Sequence, residues 1–131
     1  MNKTTVFRLL IVLDIVGCFL LIAFVFLDEK LLPAELVNLT DEYYSSVPDA
    51  ITVLSGGIGC VALLLIIASW IGLLMLKKWG AWFYLASHLL LIISTLFGPQ
   101  IMSGIFYTLD SSWTMLSGII LGMAFFSDVL N

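Results

Sequence analysis

Charge is what this chain has least of. Asp, Glu, Lys and Arg make up 11% of its 131 residues, against about 25% in an ordinary soluble domain. Hydrophobic residues make up 62%, and the mean hydropathy is +1.17. Such a chain would leave a large apolar surface in water, so the composition excludes an ordinary soluble domain and points to the bilayer as solvent. Cysteine is nearly absent. Cys18 and Cys60 both fall inside apolar runs, fit no zinc or redox spacing, and read as small buried hydrophobes rather than a disulfide. With one histidine, His88, there is no metal-ligand cluster and no nucleophile–base set, so neither a metal, a cofactor nor an enzymatic reaction is expected. No nucleic-acid partner is expected either. No small-residue cleavage site follows the first apolar run, which reads as a retained span rather than a signal peptide. No internal repeat or low-complexity stretch divides the chain, and 1–131 reads as one domain.

What is present is a series of long apolar runs around the turn Leu76-Lys77-Lys78-Trp79-Gly80. Lysine and arginine in short loops stay on the cytoplasmic side of a membrane, so Lys77 and Lys78 anchor that turn inside. Counting outward gives spans at about 6–27, 50–76, 79–97 and 111–130. The expected fold is all-α: a four-transmembrane-helix bundle with both termini inside. Lys3, Arg8, Lys77 and Lys78 then lie inside and only Lys30 outside, while Asp28, Glu29, Glu35, Asp41, Glu42, Asp49 and Asp110 make the outer face acidic. The second span, at about 39 Å, exceeds a hydrocarbon core of about 30 Å and must tilt or protrude.

The first span is expected to end at Asp28-Glu29-Lys30, and Pro33 opens a short amphipathic outer segment with Leu32, Leu36 and Leu39 on one face and Tyr43 and Tyr44 at headgroup level. Gly98-Pro99 terminates the third span. Ile101, Met102, Ile105, Phe106 and Leu109 recur at helical spacing and read as an interfacial or partly re-entrant turn. Asp110-Ser111-Ser112 offers N-cap chemistry for the fourth span. Trp70, Trp79, Trp82, Tyr84 and Trp113 mostly fall near the expected interfaces and read as an aromatic belt.

Two features carry functional expectations. Ser55, Gly56 and Gly59 on the second span and Gly118 and Gly122 on the fourth line small faces that let helix backbones approach closely. They serve packing within the bundle or contact with a partner. Asp14 and His88 are the ionisable groups well inside the spans, both about 12–14 Å from the cytoplasmic end. Ser69 and Ser117 fall near the same depth, so a polar layer across the bundle is expected, with Asp14 and His88 interacting as a helix clamp or as a proton- or ion-linked pair.

These readings give a small integral membrane protein, in a bacterial inner membrane, that works by association as a subunit, assembly factor or regulator. Its partners are the lipid bilayer and another membrane protein or a second copy of itself. The alternative is a homo-oligomeric pore or small proton-linked transporter using Asp14 and His88.

Overall fold

A computed structural model describes residues 2–96 and 102–130, apart from the side chain of Glu29. All the secondary structure described is helical: α1 (Lys3–Leu31), α2 (Ala34–Ser46), α3 (Asp49–Leu74), α4 (Lys78–Thr95) and α5 (Gly104–Phe126). Three of these helices, α1, α3 and α5, are long and apolar enough to cross a membrane. The 18-residue α4 is not among them; Lys78, His88 and its aromatic residues lower its hydropathy.

The long helices and α4 form a closed ring in which α5 touches α1, α1 touches α3, α3 touches α4 and α4 touches α5. The α3–α4 hairpin is the most extensive contact. Its turn is built as a helix C-cap: the Lys77 N–H donates to the Gly72 carbonyl at 2.9 Å and the Leu76 N–H to that of Leu73 at 2.9 Å. Leu76 takes the left-handed conformation (φ 57°) that this cap requires and that glycine more often supplies. The returning helix crosses over glycine. A Cβ on Gly72 would lie 2.7 Å from the Gly80 Cα, and one on Gly80 would lie 2.6 Å from the Gly72 carbonyl carbon.

The core occupies the half of the ring nearest this hairpin. Phe7, Ile11, Asp14, Cys18 and Leu21 form the buried seam of α1. Their steps of four and three are the 3.5-residue period of helices packed at a shallow angle. Ile66 and Leu73 of α3, Ala81 and Tyr84 of α4, and Ile120 and Ala124 of α5 close around it, joined by Val129 and Leu130 beyond α5. The start of α1 and the residues after α5 therefore lie at the same end as the hairpin. Toward the other end the ring is open: α2 has no buried residue, and burial in α3 begins only at Ala62. Val53 and Phe26 are 74% and 76% exposed there, which suits contact with lipid or a partner and not with water.

The helix limits depart from the expected spans in two places. Asp28-Glu29-Lys30 closes the apolar span as expected, at Lys3–Asp28, but the helix itself runs on to Leu31. Charge stops a membrane core but not a helix, and the break comes at Pro33, which restricts the residue before it. The last helix, α5, starts not at Asp110 but at Gly104, with Ser103 as N-cap and its side chain accepting from the Phe106 N–H at 3.3 Å. Ile105, Phe106 and Leu109, read as part of an interfacial turn, thus stand in the first two turns of α5, and Met102 lies just before it. Gly98-Pro99, the expected terminator of the preceding helix, lies outside the described residues, as does Ile101.

Candidate functional site

One polar layer crosses the closed half of the ring, drawing on every helix except α2. Asp14 is completely buried. The Trp70 Nε1–H of α3 donates to its Oδ2 at 2.8 Å, and the Ser117 hydroxyl of α5 lies 3.3 Å from its Oδ1. The Tyr84 hydroxyl of α4 donates to Ser117 Oγ at 3.0 Å. The Trp113 Nε1–H donates to the Asp14 backbone carbonyl at 3.2 Å. Each of these side chains stands on the inner stripe of its helix: Trp70 one turn beyond Ile66, Tyr84 beside Ala81, Ser117 three residues before Ile120. Ser69 and Ser87 are buried too, but they return their protons to their own helices, at the carbonyls of Ile66 (2.6 Å) and Tyr84 (2.8 Å).

Among the described residues, no lysine, arginine or histidine pairs with the Asp14 carboxyl. It is held by neutral donors alone. Each carboxyl oxygen has a hydrogen-bond partner, so neither is left as an unmatched buried polar atom.

The expected partner, His88, stands one turn beyond Tyr84. Its Nδ1–H donates to the Tyr84 carbonyl at 2.9 Å, which leaves Nε2 as a bare acceptor, and that atom is buried without a partner among the described residues. The imidazole lies 4.4 Å from the Tyr84 ring and 5.4 Å from that of Trp113. Asp14 and His88 thus share a neighbour rather than a hydrogen bond: Trp113 bonds to the Asp14 backbone and lays its ring against the imidazole. A Cβ on Gly17 would come within 2.9 Å of Trp113 Cδ1, so the absence of a side chain at Gly17 admits the indole.

Trp70, Tyr84 and Trp113 were expected in an interfacial belt. Trp70 and Tyr84 are instead core residues, and all three are donors or stacking partners in the layer. The signal for them was their register with Ile66, Ala81 and Ile120, not their type.

The small residues point elsewhere. A Cβ on Gly56, Gly59, Gly118 or Gly122 would meet nothing within 4 Å among the described residues, so no close helix approach inside the described chain calls for glycine there. Ser55 on the same stretch of α3 bonds only to its own helix, at the Thr52 carbonyl (3.1 Å). The close glycine contact is Gly72 with Gly80. Lys77 and Lys78 are exposed at the hairpin, Lys77 as the N-cap position of α4. Cys18 and Cys60 are free thiols, one buried and one exposed.

A second contact joins α1 to α5 at the open end. The Asp28 carboxylate accepts from the Ser103 N–H at 3.1 Å and from its hydroxyl, placing an anion at the first turn of α5, where the helix dipole favours it. Between this contact and Trp113 the two helices part around an apolar groove of about 300 Å³, lined by Leu13, Val16, Leu20, Leu109 and Leu116 among others. No protein-family model matches the chain, and neither a curated protein nor a solved structure matches it.

Proposed function

We propose that this is a four-span integral membrane protein whose work is association: it binds another membrane protein, or a second copy of itself, as a subunit, assembly factor or regulator. The observation that carries this reading is that the glycines at 56, 59, 118 and 122 open outward and meet nothing among the described residues. In lipid, helices associate by packing, not by escape from water, and small outward faces are where backbones approach. The unpartnered half of α3 and the core-free α2 add a second uncovered surface at the open end. In this reading α4 is the remaining span, the Lys77–Lys78 turn faces the cytoplasm, and the membrane is a bacterial inner membrane.

The two small faces lie on helices that are not neighbours around the ring, α3 and α5. One is toward the open end and the other toward the hairpin end. Copies inserted in the same orientation and related by a two-fold axis along the membrane normal therefore pair like with like, α5 with α5 or α3 with α3. The test is cysteine crosslinking in native membranes at Ile119 and at Val53, two exposed positions on these helices, followed by the mass of the particle in mild detergent. Gly118→Leu should abolish an α5 crosslink and Gly56→Leu an α3 crosslink. A monomeric particle with no co-purifying chain would overturn the proposal.

A second reading, a small proton-linked transporter or pore, is favoured by the complete burial of Asp14 at the centre of the ring. Intramembrane carboxyls are costly and often functional. Ion flux into liposomes separates it from the first.

A further inference from the structure

Ser117 Oγ stands at a three-way junction: 3.0 Å from the Tyr84 hydroxyl, 3.3 Å from Asp14 Oδ1 and 3.0 Å from the Trp113 carbonyl of its own helix. A serine hydroxyl has one proton to give and two lone pairs to receive with. Three neighbours therefore admit two complete hydrogen-bond arrangements. From this we infer that the Asp14 layer is a reversible proton-binding site, with Ser117 as the pivot that satisfies both charge states.

With Asp14 ionised, Ser117 turns its proton to Oδ1 and receives one from Tyr84, while Trp70 donates to Oδ2. With Asp14 protonated, the new O–H on Oδ1 donates to Ser117 Oγ, which now receives from both Asp14 and Tyr84. The serine proton swings to the Trp113 carbonyl, the ordinary back-bond of a helical serine. Trp70 continues to donate to Oδ2, by then the carbonyl oxygen of the acid. One proton is added, one hydroxyl rotates, and no polar atom of the layer loses its partner in either state. A layer serving only as a fixed helix clamp has no need of this second arrangement.

The surroundings keep the site to a single acid. The titratable groups that Asp14 faces are Cys18 on its own helix and Tyr84 on α4. The α3 side presents Ser69 and Trp70 and the α5 side Ser117 and Trp113, which are not titratable in this sense, and His88 is turned away behind the Trp113 ring. Among the described residues, no cation pairs with the carboxyl to fix it in one state.

The experiment is infrared difference spectroscopy of the full chain in liposomes, stepping pH over about 3 to 10, a range wide enough for any carboxyl in a protein. Wild-type spectra are read against Asp14→Asn. The expected result is a carboxyl stretch that appears and disappears reversibly with pH, is lost in Asp14→Asn, and is accompanied by a shift of the Tyr84 phenol band. In Ser117→Ala the carboxyl signal persists, but the shift of the phenol band shrinks to what the nearby Asp14 charge alone imposes, because the hydrogen-bond link through the pivot is gone. The assignment of the phenol band is fixed by its loss in Tyr84→Phe. The other acidic side chains are common to wild type and Asp14→Asn and cancel in the difference, and Asp14→Glu, which keeps the acid, should restore the signal. No pH-dependent carboxyl signal, or one that survives in Asp14→Asn, would overturn the proposal. A phenol band that shifts as far in Ser117→Ala as in the wild type would remove the pivot.

Discussion

Gly72 and Gly80 cross so closely that each occupies the space a side chain on the other would need, with 2.7 Å between a Cβ on Gly72 and the Gly80 Cα. The obstacle is backbone on both sides, so no rotamer change can relieve it. Gly72→Ala or Gly80→Ala must push α3 and α4 apart at the tightest point of the hairpin. Overpacking of this kind costs about 1–3 kcal/mol, visible as a lowered unfolding temperature in detergent. Gly118→Ala, where a Cβ meets nothing, should leave the isolated chain unchanged. Equal effects at the two sites would show that the hairpin crossing is not the tight one.

The Asp14 layer predicts a contrast between two substitutions. Asn at position 14 keeps an acceptor for the Trp70 indole and supplies a donor for Ser117 Oγ, so its effect on stability should be small. Leu at the same position fills similar space but strands the Trp70 indole, while Ser117 keeps Tyr84 and the Trp113 carbonyl as partners. Leaving a buried donor unmatched costs about 1–3 kcal/mol. Trp70→Phe removes the other side of the 2.8 Å bond. Combined with Asp14→Leu it should therefore cost less than the two single changes added together, by about 0.5 kcal/mol or more. Additive effects in urea or thermal unfolding would contradict the bond.

Asp28 and Ser103 fasten the open end. Asp28→Ala removes the acceptor for the Ser103 N–H at 3.1 Å and the negative charge at the first turn of α5. Loss of comparable helix caps costs about 0.5–2 kcal/mol. The damage should stay local, as faster amide hydrogen exchange from Gly104 to Thr108 with the core around Tyr84 unaffected. Asp28→Asn should fall between the two. Uniform acceleration through α5 would place the fastening elsewhere.

Local chemistry made some of this architecture legible in the sequence. Pro33 and Pro48 mark the limits of α2, the Lys77–Lys78 turn marks the hairpin, and the seam of α1 could be read from the steps between Phe7, Ile11, Asp14, Cys18 and Leu21. The start of α5 was harder. Ser103 and Asp110 both offer capping groups, and the choice is set by Asp28, 75 residues away. Depth along a helix is likewise local, and it placed Ser117 correctly beside Asp14. Rotation about the helix axis is not, and it decides that Trp70 faces the carboxyl while His88 turns toward its own backbone. The same holds for the glycines: periodicity shows that Gly118 and Gly122 share a face, but packing decides which way it looks.

The proposed topology makes a prediction that isolates α4, the helix with the weakest span signature. In a background with Cys18 and Cys60 replaced by alanine, single cysteines are placed at Ser45, Lys78 and Gly104, all exposed. Ser45 lies on α2 and Gly104 at the start of α5, at the open end of the ring; Lys78 lies at the hairpin. If α3 and α4 both cross the bilayer, a membrane-impermeant thiol reagent applied outside intact cells should label positions 45 and 104. Position 78 should label only after the membrane is opened. The warrant is the placement of four of the five basic residues, Lys3, Arg8, Lys77 and Lys78, at the hairpin end, where the charge bias of inserted chains holds them inside. Labelling of 78 from outside, with 45 and 104 both protected, would mean that the acidic end faces the cytoplasm. Protection of both 78 and 104 would mean that α4 turns back without crossing.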